Sequence, residues 1–477
     1  MDDFTVAEAI NACGGRFFGK EEDKEKIIKG VERDSRMIGK DWLFVAIKGD
    51  NNDGHDYIPS VFEAGALCVL SEKELVAPKG SYILVDDSVK AFQMIAKAYR
   101  KKLQDRGVVF IGITGSVGKT STKEMIYNVL SAGFNASRTQ GNYNNGIGVP
   151  LTICAVDPSV KTAIVEMGIN HYGEMDLLGD MVAPDIMVYT NIGESHIGNF
   201  GSREGIFKGK TEVIAHMKDG AFIIINEDDD QLIKLKGKSR QKVYGFSVKN
   251  EDADVFLKDV EEKGIYGSDI TLVIDKEEGK VHLPIPGMHM AINAAAAALV
   301  GKVLGMNRED IFKGIGEAAA LPGRGRIIRQ KGMTFIDETY NASPKAVKAA
   351  IDLLMTANER KVAVLGDMFE LGDEEKRLHY ETGFYAGKNR PDVIICIGEL
   401  SKDIYEGAKY ALKNGIRDEI EKDKEIETET TVKWFATKED FIAVSDKYIK
   451  KGDAVLFKAS HGMHFEELLK IIQEKDF

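Results

Sequence analysis

The sequence predicts an α/β protein in which buried parallel strands alternate with helices. Continuous apolar runs rich in β-branched residues recur along the 477 residues, among them VVFIGI, TAIVEM, IMVYTN and DVIICIG. Runs of this length are typical of strands that are covered on both faces. Helical patterns such as MAINAAAAALVGKVLG lie between them, as parallel strands require. A chain of this length exceeds one ordinary core, so we expect roughly two to four domains.

The composition is that of a globular protein, with 43% hydrophobic and 29% charged residues. A net charge of −12 argues against a general nucleic-acid partner, which would need a basic surface. The four cysteines are scattered and form no CxxC pair, so a reducing cytoplasm fits. The acidic N-terminus does not resemble a signal peptide, and no apolar run reaches the ~18 residues of a membrane span. The sequence therefore predicts a cytoplasmic protein without stable membrane insertion.

Two changes in composition divide the chain. The charged stretch YRKKLQDRG precedes a glycine-rich loop, and LPGRGR precedes a fresh apolar strand. We therefore expect domains at residues 1–104, 105–323 and 324–477. Residues 250–283 alternate polar and apolar side chains, which predicts a small antiparallel sheet attached to the middle domain.

The stretch GITGSVGKTSTKEM follows an apolar strand and opens a helix. Backbone N–H groups at such a helix start bind phosphate, a lysine adds charge, and a threonine hydroxyl can reach Mg²⁺. The strict phosphate-loop pattern has four residues before Gly-Lys-Thr, whereas five separate Gly112 from Gly118 here. The alternative is a strand–helix turn with a surface lysine. The predicted phosphate-binding residues are Gly115, Ser116, Val117, Gly118, Lys119, Thr120 and Ser121.

Further motifs carry a family resemblance. The chain contains GNYNNGIG, VEMGINHYGEM, TNIGESHIGNF and FKGKTEVI in the middle, DSR and AIKGDNNDGH early, and IDETYNASP and VLGDMFELG late. With the GxxGxxGKT loop, they resemble the Mur ligases, the ATP-dependent amide-forming enzymes of peptidoglycan precursor synthesis. The combination of EMG followed by GE, with NIGESH downstream, is similar to that of the member that joins D-alanyl-D-alanine to UDP-N-acetylmuramoyl-tripeptide. The resemblance covers nearly the whole chain.

The resemblance implies a three-domain architecture. A small N-terminal α/β domain would bind the UDP part of the substrate, a central P-loop ATPase domain would hold a mostly parallel sheet plus a small antiparallel one, and the C-terminal domain would be Rossmann-like. It also implies ATP, two Mg²⁺ ions and a carbamylated lysine, in a monomer. The reaction would proceed through an acyl phosphate.

By the same resemblance, Lys119, Lys210 and His196 would be catalytic. Thr120, Glu166, His196 and the Lys210 carbamate would bind metal. A carboxylate that ends a buried strand is costly unless it is paired or metal-bound. The alternative is that Glu166 caps a neighbouring helix. The FKGKTEV stretch offers Lys208 as well as Lys210, and both are exposed surface lysines if the resemblance misleads.

The remaining nucleotide contacts come from loops and one helix. The resemblance assigns them to Asn145, His289, Asn293, Arg324, Asp337, Tyr340 and Asn341. Without it, these positions would be a turn, a tightly packed alanine-rich helix, a hinge and a strand–helix junction.

Substrate contacts are expected at both ends of the chain. The UDP part would bind at Ser35, Arg36, Lys48, Gly49, Gly54 and His55, and the dipeptide at Lys458, Ser460 and His461. The first set would otherwise be turn residues. The family commonly has Lys-Gly-Ser-Arg at the second site, whereas this chain has Ala459 and His461 in place of Gly and Arg. Loss of that arginine weakens carboxylate recognition unless a donor such as Lys458 compensates.

Other functions stay open at this point. The family member that adds the third amino acid is the nearest, but its DNPR motif is absent. Folylpolyglutamate synthetase shares the ATP core but lacks the UDP-binding domain that residues 1–104 would provide. A GTPase switch would show an NKxD motif, which is absent; a non-catalytic nucleotide-binding module is the last alternative. The third residue of the tripeptide, lysine or diaminopimelate, is not determined by the sequence.

Overall fold

The computed structural model describes Met1, residues 3–414 and residues 430–477. In this part of the chain, the strands form three sheets of five, nine and six strands. Each sheet is built from one continuous stretch of sequence. Short 3₁₀ turns connect the elements at Glu21–Glu25, Gly54–Tyr57, Glu212–His216, Leu232–Leu235, Gly264–Tyr266, Gly372–Glu374, Ser445–Lys447 and His461–Met463.

The first sheet is formed by the N-terminal region. Its elements are α1 (Val6–Cys13), β1 (Arg16–Phe18), β2 (Val31–Glu32), β3 (Leu43–Val45), α2 (Ile58–Glu63), β4 (Cys68–Ser71), β5 (Ser81–Leu84) and α3 (Ser88–Asp105). The strand order is β1-β5-β4-β3-β2, with only β1 antiparallel among these strands. Helix α1 begins with a capping box between Thr5 and Glu8, which satisfies two N–H groups of its first turn.

The second sheet carries the phosphate loop. Its elements are β6 (Val109–Thr114), α4 (Lys119–Ser131), β7 (Ala136–Arg138), α5 (Gly148–Cys154), β8 (Thr162–Glu166), α6 (Glu174–Val182), β9 (Ile186–Tyr189), α7 (Ile197–Phe200), α8 (Arg203–Thr211), β10 (Phe222–Asn226), β11 (Lys242–Ser247), β12 (Val255–Glu262), β13 (Ser268–Ile274), β14 (Glu277–Leu283), α9 (Met288–Val303) and α10 (Arg308–Gly316). The order is β14-β13-β12-β11-β10-β9-β6-β8-β7. In this order, all neighbouring strands between β12 and β7, which include β6, pair in parallel.

The alternating segment predicted at 250–283 forms the edge of this same sheet. Every second residue of β13 is buried, which is the period-two pattern that predicted a strand with one covered face. The segment is attached to the middle domain as predicted, and it continues the parallel strands within one nine-stranded sheet.

The third sheet comes from the C-terminal region. Its elements are β15 (Arg326–Gln330), β16 (Met333–Glu338), α11 (Pro344–Met355), β17 (Arg360–Gly366), α12 (Glu375–Asn389), β18 (Val393–Ile397), α13 (Ser401–Asn414), β19 (Thr431–Phe435), α14 (Lys438–Ile442), β20 (Asp453–Lys458) and α15 (Phe465–Glu474). The order is β15-β16-β20-β17-β18-β19, and only β15 pairs antiparallel among these strands. This mostly parallel sheet flanked by helices has the layers expected of a Rossmann-like domain.

The chain divides into two compact units. Unit 1 comprises residues 1–258, 271–279 and 292–315, and unit 2 comprises residues 259–270, 280–291 and 316–477. Within unit 1, one apolar core joins the first sheet, α3 and the second sheet. The Tyr99 hydroxyl on α3 donates to the Val156 carbonyl at 2.8 Å, and Arg100 Nε donates to the Met181 carbonyl at 2.9 Å. Helix α3 is therefore packed into the second sheet's layer as well as the first.

Two expectations about the whole chain can be compared with the structure. Among the described residues, no helix is both long enough and apolar enough to cross a membrane. Cys13, Cys68, Cys154 and Cys396 are all free thiols.

Candidate active site

The phosphate loop runs from the end of β6 to the start of α4, and the end of β9 holds it. The Ser116 N–H donates to the Asn191 carbonyl, and the Val117 N–H to Asn191 Oδ1, both at 3.0 Å. Thr190 Oγ1 donates to the Val117 carbonyl at 2.7 Å. A Cβ on Gly115 would lie 1.9 Å from Thr190 Oγ1, so this close approach requires glycine.

The start of α4 offers the donors that a phosphate needs. Gly118 is the N-cap at φ 84° and supplies no side-chain cap, so the first-turn N–H groups, which include those of Thr120 and Ser121, have no capping side chain. Lys119 Nζ donates to the Gly115 carbonyl at 3.0 Å and so lies across the loop. Burial lowers the pKa of Lys119, and the nearby Glu166 partly opposes that shift.

Glu166 ends β8 and is 1% exposed. Its Oε1 accepts hydrogen bonds from Thr120 Oγ1 at 3.3 Å and from Asn144 Nδ2 at 2.9 Å. Its Oε2 is buried and accepts no hydrogen bond. A buried carboxylate oxygen without a donor is expensive, and it is the kind of ligand that Mg²⁺ prefers. Thr120 and Glu166 therefore fit a magnesium ion beside the phosphate loop.

The other predicted metal ligands are less closely grouped. Among residues 1, 3–414 and 430–477, no three His, Cys, Asp or Glu side chains gather into a metal-binding cluster. His196 is the exposed N-cap of α7, at φ 64°. Partial desolvation lowers its pKa, as do Lys210 and Lys119, while Glu174 opposes them. His196 thus lies in the field of both lysines.

Lys208 and Lys210 have different environments on α8. Lys210 is 1% exposed, and burial, followed by the charge of Lys119, lowers its pKa to about 7. Lys208 lies at the surface, where its Nζ is 3.1 Å from Glu204 Oε1. Only Lys210 therefore has the buried, readily deprotonated amine that the predicted carbamate requires.

Two asparagines predicted near the nucleotide have local partners. Asn293 on α9 accepts a hydrogen bond from Thr122 Oγ1 at 2.9 Å, which ties α9 to α4 just behind the loop. Asn145 Oδ1 accepts from the N–H groups of Ile147 and Gly148. Its amide oxygen thus stabilises the start of α5, and its neighbour Asn144 is the residue that contacts Glu166.

In unit 2, the predicted nucleotide residues meet at the end of β16. Asp337 is buried; its Oδ2 accepts from the Gly323 N–H at 2.8 Å and its Oδ1 from Thr339 Oγ1 at 2.7 Å. The Arg324 guanidinium stacks on the Tyr340 ring, 3.8 Å from its centroid. Asp337 therefore shapes the turn that presents Arg324 and Tyr340. In the same unit, burial lowers the pKa of His289, which Glu338 and Glu262 oppose.

The residues predicted for the dipeptide adjoin this turn at the end of β20. Lys458 is buried, and its Nζ donates to Glu338 Oε2 at 2.9 Å and to the Asn341 carbonyl at 3.1 Å. Ser460 Oγ accepts from the Phe369 N–H at 2.8 Å. The His461 ring lies 5.8 Å from the Tyr340 ring, centroid to centroid. Nucleotide and dipeptide candidates thus share one edge of the third sheet, at the carboxyl ends of its strands.

The structure accounts for one of the two departures from the family motif. Ala459 is buried against Gly366 on β17, where a Cβ on Gly366 would lie 2.7 Å from the Ala459 Cβ. The glycine on β17 leaves the space that the methyl group of Ala459 occupies. Nothing in the structure explains His461.

The predicted UDP-binding loops of the first sheet are held by their own side chains. His55 is buried; its Nδ1 lies 2.6 Å from Asp53 Oδ1, and its Nε2 accepts from the Glu72 N–H at 3.0 Å. Both ring nitrogens are thus engaged within the protein. Arg36 is exposed and pairs with Asp34, whose pKa its hydrogen bonds lower to about 2. The remaining members of the predicted set are Ser35, Lys48, Gly49 and Gly54, and a Cβ on Gly54 would lie 2.7 Å from the Ile47 nitrogen.

Sequence reasoning missed the residues that hold the site from behind. Asn191 and Thr190 fix the phosphate loop, and Lys123 carries charge beside Glu166. The position of Asn191 directly after an apolar strand was an available signal. For Lys123, the signal was its spacing of one helical turn from Lys119, which puts both lysines on one face of α4.

Three family models match successive parts of the chain. The family model described as Mur ligase family, catalytic domain, matches residues 27–102, the Mur ligase middle domain matches 113–301, and the Mur ligase glutamate ligase domain matches 323–461. The chain is 38% identical, over 94% of its length and 94% of the relative's, to the UDP-N-acetylmuramoyl-tripeptide–D-alanyl-D-alanine ligase of Bacillus subtilis strain 168.

Solved structures agree with that result. A crystal structure of MurF from Acinetobacter baumannii superimposes with a TM-score of 0.86 at 29% identity, covering 99% of each chain. The MurF ligase of Thermotoga maritima in complex with ADP gives a TM-score of 0.71 at 28% identity, covering 93% of this chain and 97% of that one. Both similarities extend over the whole architecture rather than one domain.

Proposed function

The chain belongs to the Mur ligase family, and from this premise we propose how its residues carry out the reaction. It is an ATP-dependent ligase that joins D-alanyl-D-alanine to UDP-N-acetylmuramoyl-tripeptide in peptidoglycan precursor synthesis. One observation carries this function: two relatives with that activity match 94% and 91% of the chain. The tripeptide nucleotide and the dipeptide are its substrates, and the proposal locates the enzyme, as a monomer, in the cytoplasm.

The chemistry requires activation of a carboxylate. A carboxylate oxygen of the tripeptide attacks the γ-phosphorus of ATP, and ADP leaves, which forms an acyl phosphate. The dipeptide amine then attacks the acyl carbon; the C–N bond forms, phosphate leaves and the amine loses its proton. The protein contributes positioning and charge stabilisation. The first-turn N–H groups of α4, with Lys119, are the donors that we assign to the transferred phosphoryl group.

Magnesium would be held by Thr120 and Glu166. The support is the donor set itself, since Oε2 of Glu166 is buried without a hydrogen bond. When bound there, the ion would neutralise phosphate charge. Asn144 keeps the other Glu166 oxygen oriented through its hydrogen bond. A second ion at His196 and carbamylated Lys210 belongs to the same proposal.

Carbamylation of Lys210 is supported by burial and by its depressed pKa of about 7. CO₂ adds only to a neutral amine; the N–C bond forms, the nitrogen loses one proton, and the product is an anion on a long side chain. The product would supply a carboxylate-like ligand, and it would also remove the like-charge repulsion from Lys119 that the unmodified lysine experiences.

Three domains would divide the work. We assign the UDP part of the substrate to residues 1–104, ATP to 105–323, and the dipeptide with closure over ATP to 324–477. The three sheets and the three family matches support these boundaries. In the first domain, exposed Arg36 has the better chemistry for a phosphate, because His55 already uses both ring nitrogens.

Phosphate release measures the function directly. With ATP and Mg²⁺, the enzyme should release phosphate only when UDP-N-acetylmuramoyl-tripeptide and D-alanyl-D-alanine are both present. Lysine- and diaminopimelate-containing tripeptides, tested side by side, identify the third residue that it accepts.

Two further mixtures test the alternatives. UDP-N-acetylmuramoyl-dipeptide with a free amino acid reports the ligase that adds the third residue, and a folate with glutamate reports the folylpolyglutamate synthetase. Release in either mixture, with none in the dipeptide assay, would contradict the proposal.

A further inference from the structure

We propose that Lys123 is a positioning residue for this reaction, a buried counter-charge that fixes Glu166 beneath the phosphate loop while leaving one of its oxygens free. The inference rests on the proposed function, because only that function gives Glu166 a phosphate-bound cation to hold.

Lys123 lies on α4, one turn after Lys119, and its side chain is 1% exposed. Its Nζ is 3.6 Å from Glu166 Oε2 and 3.3 Å from Glu124 Oε1, and it donates to the Gly141 carbonyl at 3.3 Å. A buried ammonium is tolerated only when it is paired in this way. The lysine therefore joins α4 to the end of β8 and to the loop that carries Asn144.

The ion pair between Lys123 and Glu166 is one end of a row of alternating charges. Glu124 Oε2 accepts from Arg138 Nε at 2.8 Å, and the Arg138 guanidinium stacks 3.6 Å from the centroid of the Tyr127 ring. Arg138, Glu124, Lys123 and Glu166 are thus positive, negative, positive and negative in turn. Because Glu124 faces Lys123 on one side, the lysine is shared between two carboxylates rather than bound to one.

The distances give the two oxygens of Glu166 different roles. Oε1 accepts two hydrogen bonds, whereas Oε2 accepts none and lies 3.6 Å from Lys123 Nζ, which is too long for a hydrogen bond. Lys123 therefore compensates the charge of Glu166 without using the lone pairs of Oε2. A cation that binds Oε2 must also overcome repulsion from Lys123, so the lysine both orients the ligand and limits its affinity.

Opposite changes in metal affinity test this arrangement. Lys123→Met removes the positive charge beside Glu166 Oε2, so Mn²⁺ should bind the nucleotide-free protein at least about threefold more tightly by electron paramagnetic resonance. Glu124→Gln leaves Lys123 to Glu166 alone, so Mn²⁺ should bind more weakly by a similar factor. Turnover should fall at least about tenfold in Lys123→Met, with a smaller change in the KM for ATP, since the loss is in orientation.

A double variant separates positioning from folding. Lys123→Met with Glu124→Gln conserves the net charge and removes the carboxylate that has lost its contact with Lys123, so Tm should recover toward that of the wild type while turnover stays low. Lys208→Met is the matched control, because Lys208 is an exposed lysine that is also paired with a glutamate. It should leave Mn²⁺ affinity, turnover and Tm unchanged.

Two results would overturn the proposal. One is recovery of turnover together with Tm in the double variant, which would make Lys123 structural only. The other is an Mn²⁺ affinity in Glu124→Gln that is unchanged or tighter, a readout that stands even if Lys123→Met does not fold. Failure of the proposed function would instead appear as a wild-type enzyme without ligase activity, whatever these affinities are.

Discussion

Two lysines of α8 show how burial selects one side chain from a pair. Lys208 and Lys210 are two positions apart, which rotates them by about 200° around the helix axis. Lys210 is therefore turned into the protein while Lys208 remains at the surface with Glu204. Burial lowers the pKa of the Lys210 amine to about 7, whereas the Lys208 amine is solvated beside Glu204.

Lys210→Ala should lose activity because the predicted anionic ligand is lost. Acetate or formate should restore part of it by filling the vacated space, as measured by phosphate release. Lys208→Ala, the matched control, should stay active. An active Lys210→Ala enzyme, or a Lys208→Ala enzyme that acetate rescues, would contradict the assignment.

The pH dependence of the wild type has a defined sign. The pKa of Lys210, about 7, lies below the ordinary value of 10.5, so the neutral amine that reacts with CO₂ becomes scarce as the pH falls below 7. Removing bicarbonate at mildly acidic pH should therefore lower wild-type turnover more than the same treatment at pH 8. Equal turnover with and without bicarbonate at both pH values would exclude an exchangeable carbamate.

Lys119→Ala should abolish most turnover while the protein stays folded. The lysine makes one hydrogen bond within the loop, to the Gly115 carbonyl, so little folding energy depends on it. Loss of a donor to transferred phosphate typically costs roughly 10²–10³-fold in rate. Phosphate release gives the rate and thermal melting gives the fold; near-normal turnover in a folded variant would remove the phosphate loop from the mechanism.

At the level of elements, the loop between β6 and α4 depends on how closely it approaches β9. Thr190 and Asn191 bond directly to the backbone of Val117, and this close approach requires glycine at position 115. The two residues that follow β9 therefore hold the phosphate loop in position.

Gly115→Ala should therefore disrupt ATP binding. The added Cβ would lie 1.9 Å from Thr190 Oγ1, so the loop must move away from β9. We expect at least about a tenfold loss of ATP affinity by isothermal titration calorimetry, because small displacements of a phosphate site are costly. Gly220→Ala, where a Cβ meets nothing within 4 Å, is the control; equal affinities in the two variants would refute the steric argument.

Across unit 1 as a whole, the first and second sheets share one core through α3. The Arg100 guanidinium reaches the carbonyls of Met181 and Asp180, and Lys97 pairs with Asp180. Deletion of residues 1–104 would uncover the apolar residues of α5 and α6 in that core. We therefore propose that residues 1–104 bind the UDP part of the substrate but fold together with the rest of unit 1.

Arg100→Met tests that view in the full chain. Unpaired buried carbonyls cost about 1–3 kcal/mol each, so we expect the unfolding midpoint of unit 1 to fall measurably in denaturant, together with ATP affinity. Lys101→Met changes the next, exposed residue of α3 and should have no such effect. A variant of Arg100 that unfolds the first sheet while ATP still binds normally would show two independent domains.

Much of the architecture is predictable from the sequence. The apolar runs predicted β6, β8, β9 and β18, and the glycine loop predicted the strand–helix junction at Gly118. The order of the motifs along the chain indicated the family. These features depend on residues that are near one another in the chain, where periodicity and turn chemistry act directly. The candidate ligand Glu166 was recognisable for the same reason, as a carboxylate at a strand end.

Only the tertiary structure decided which side chains meet. It buried Lys210 rather than Lys208, joined Lys123 to Glu166 and Glu124, and set Ala459 against Gly366. In the structure, His55 contacts Asp53 and Asn145 accepts from the Gly148 N–H, so both side chains bond within their own loops. A sequence pattern fixes the direction of a side chain relative to its own helix or strand, whereas burial and pairing depend on the distance to another element. That distance follows from the packing of the whole core, so local sequence could nominate these residues but not their partners.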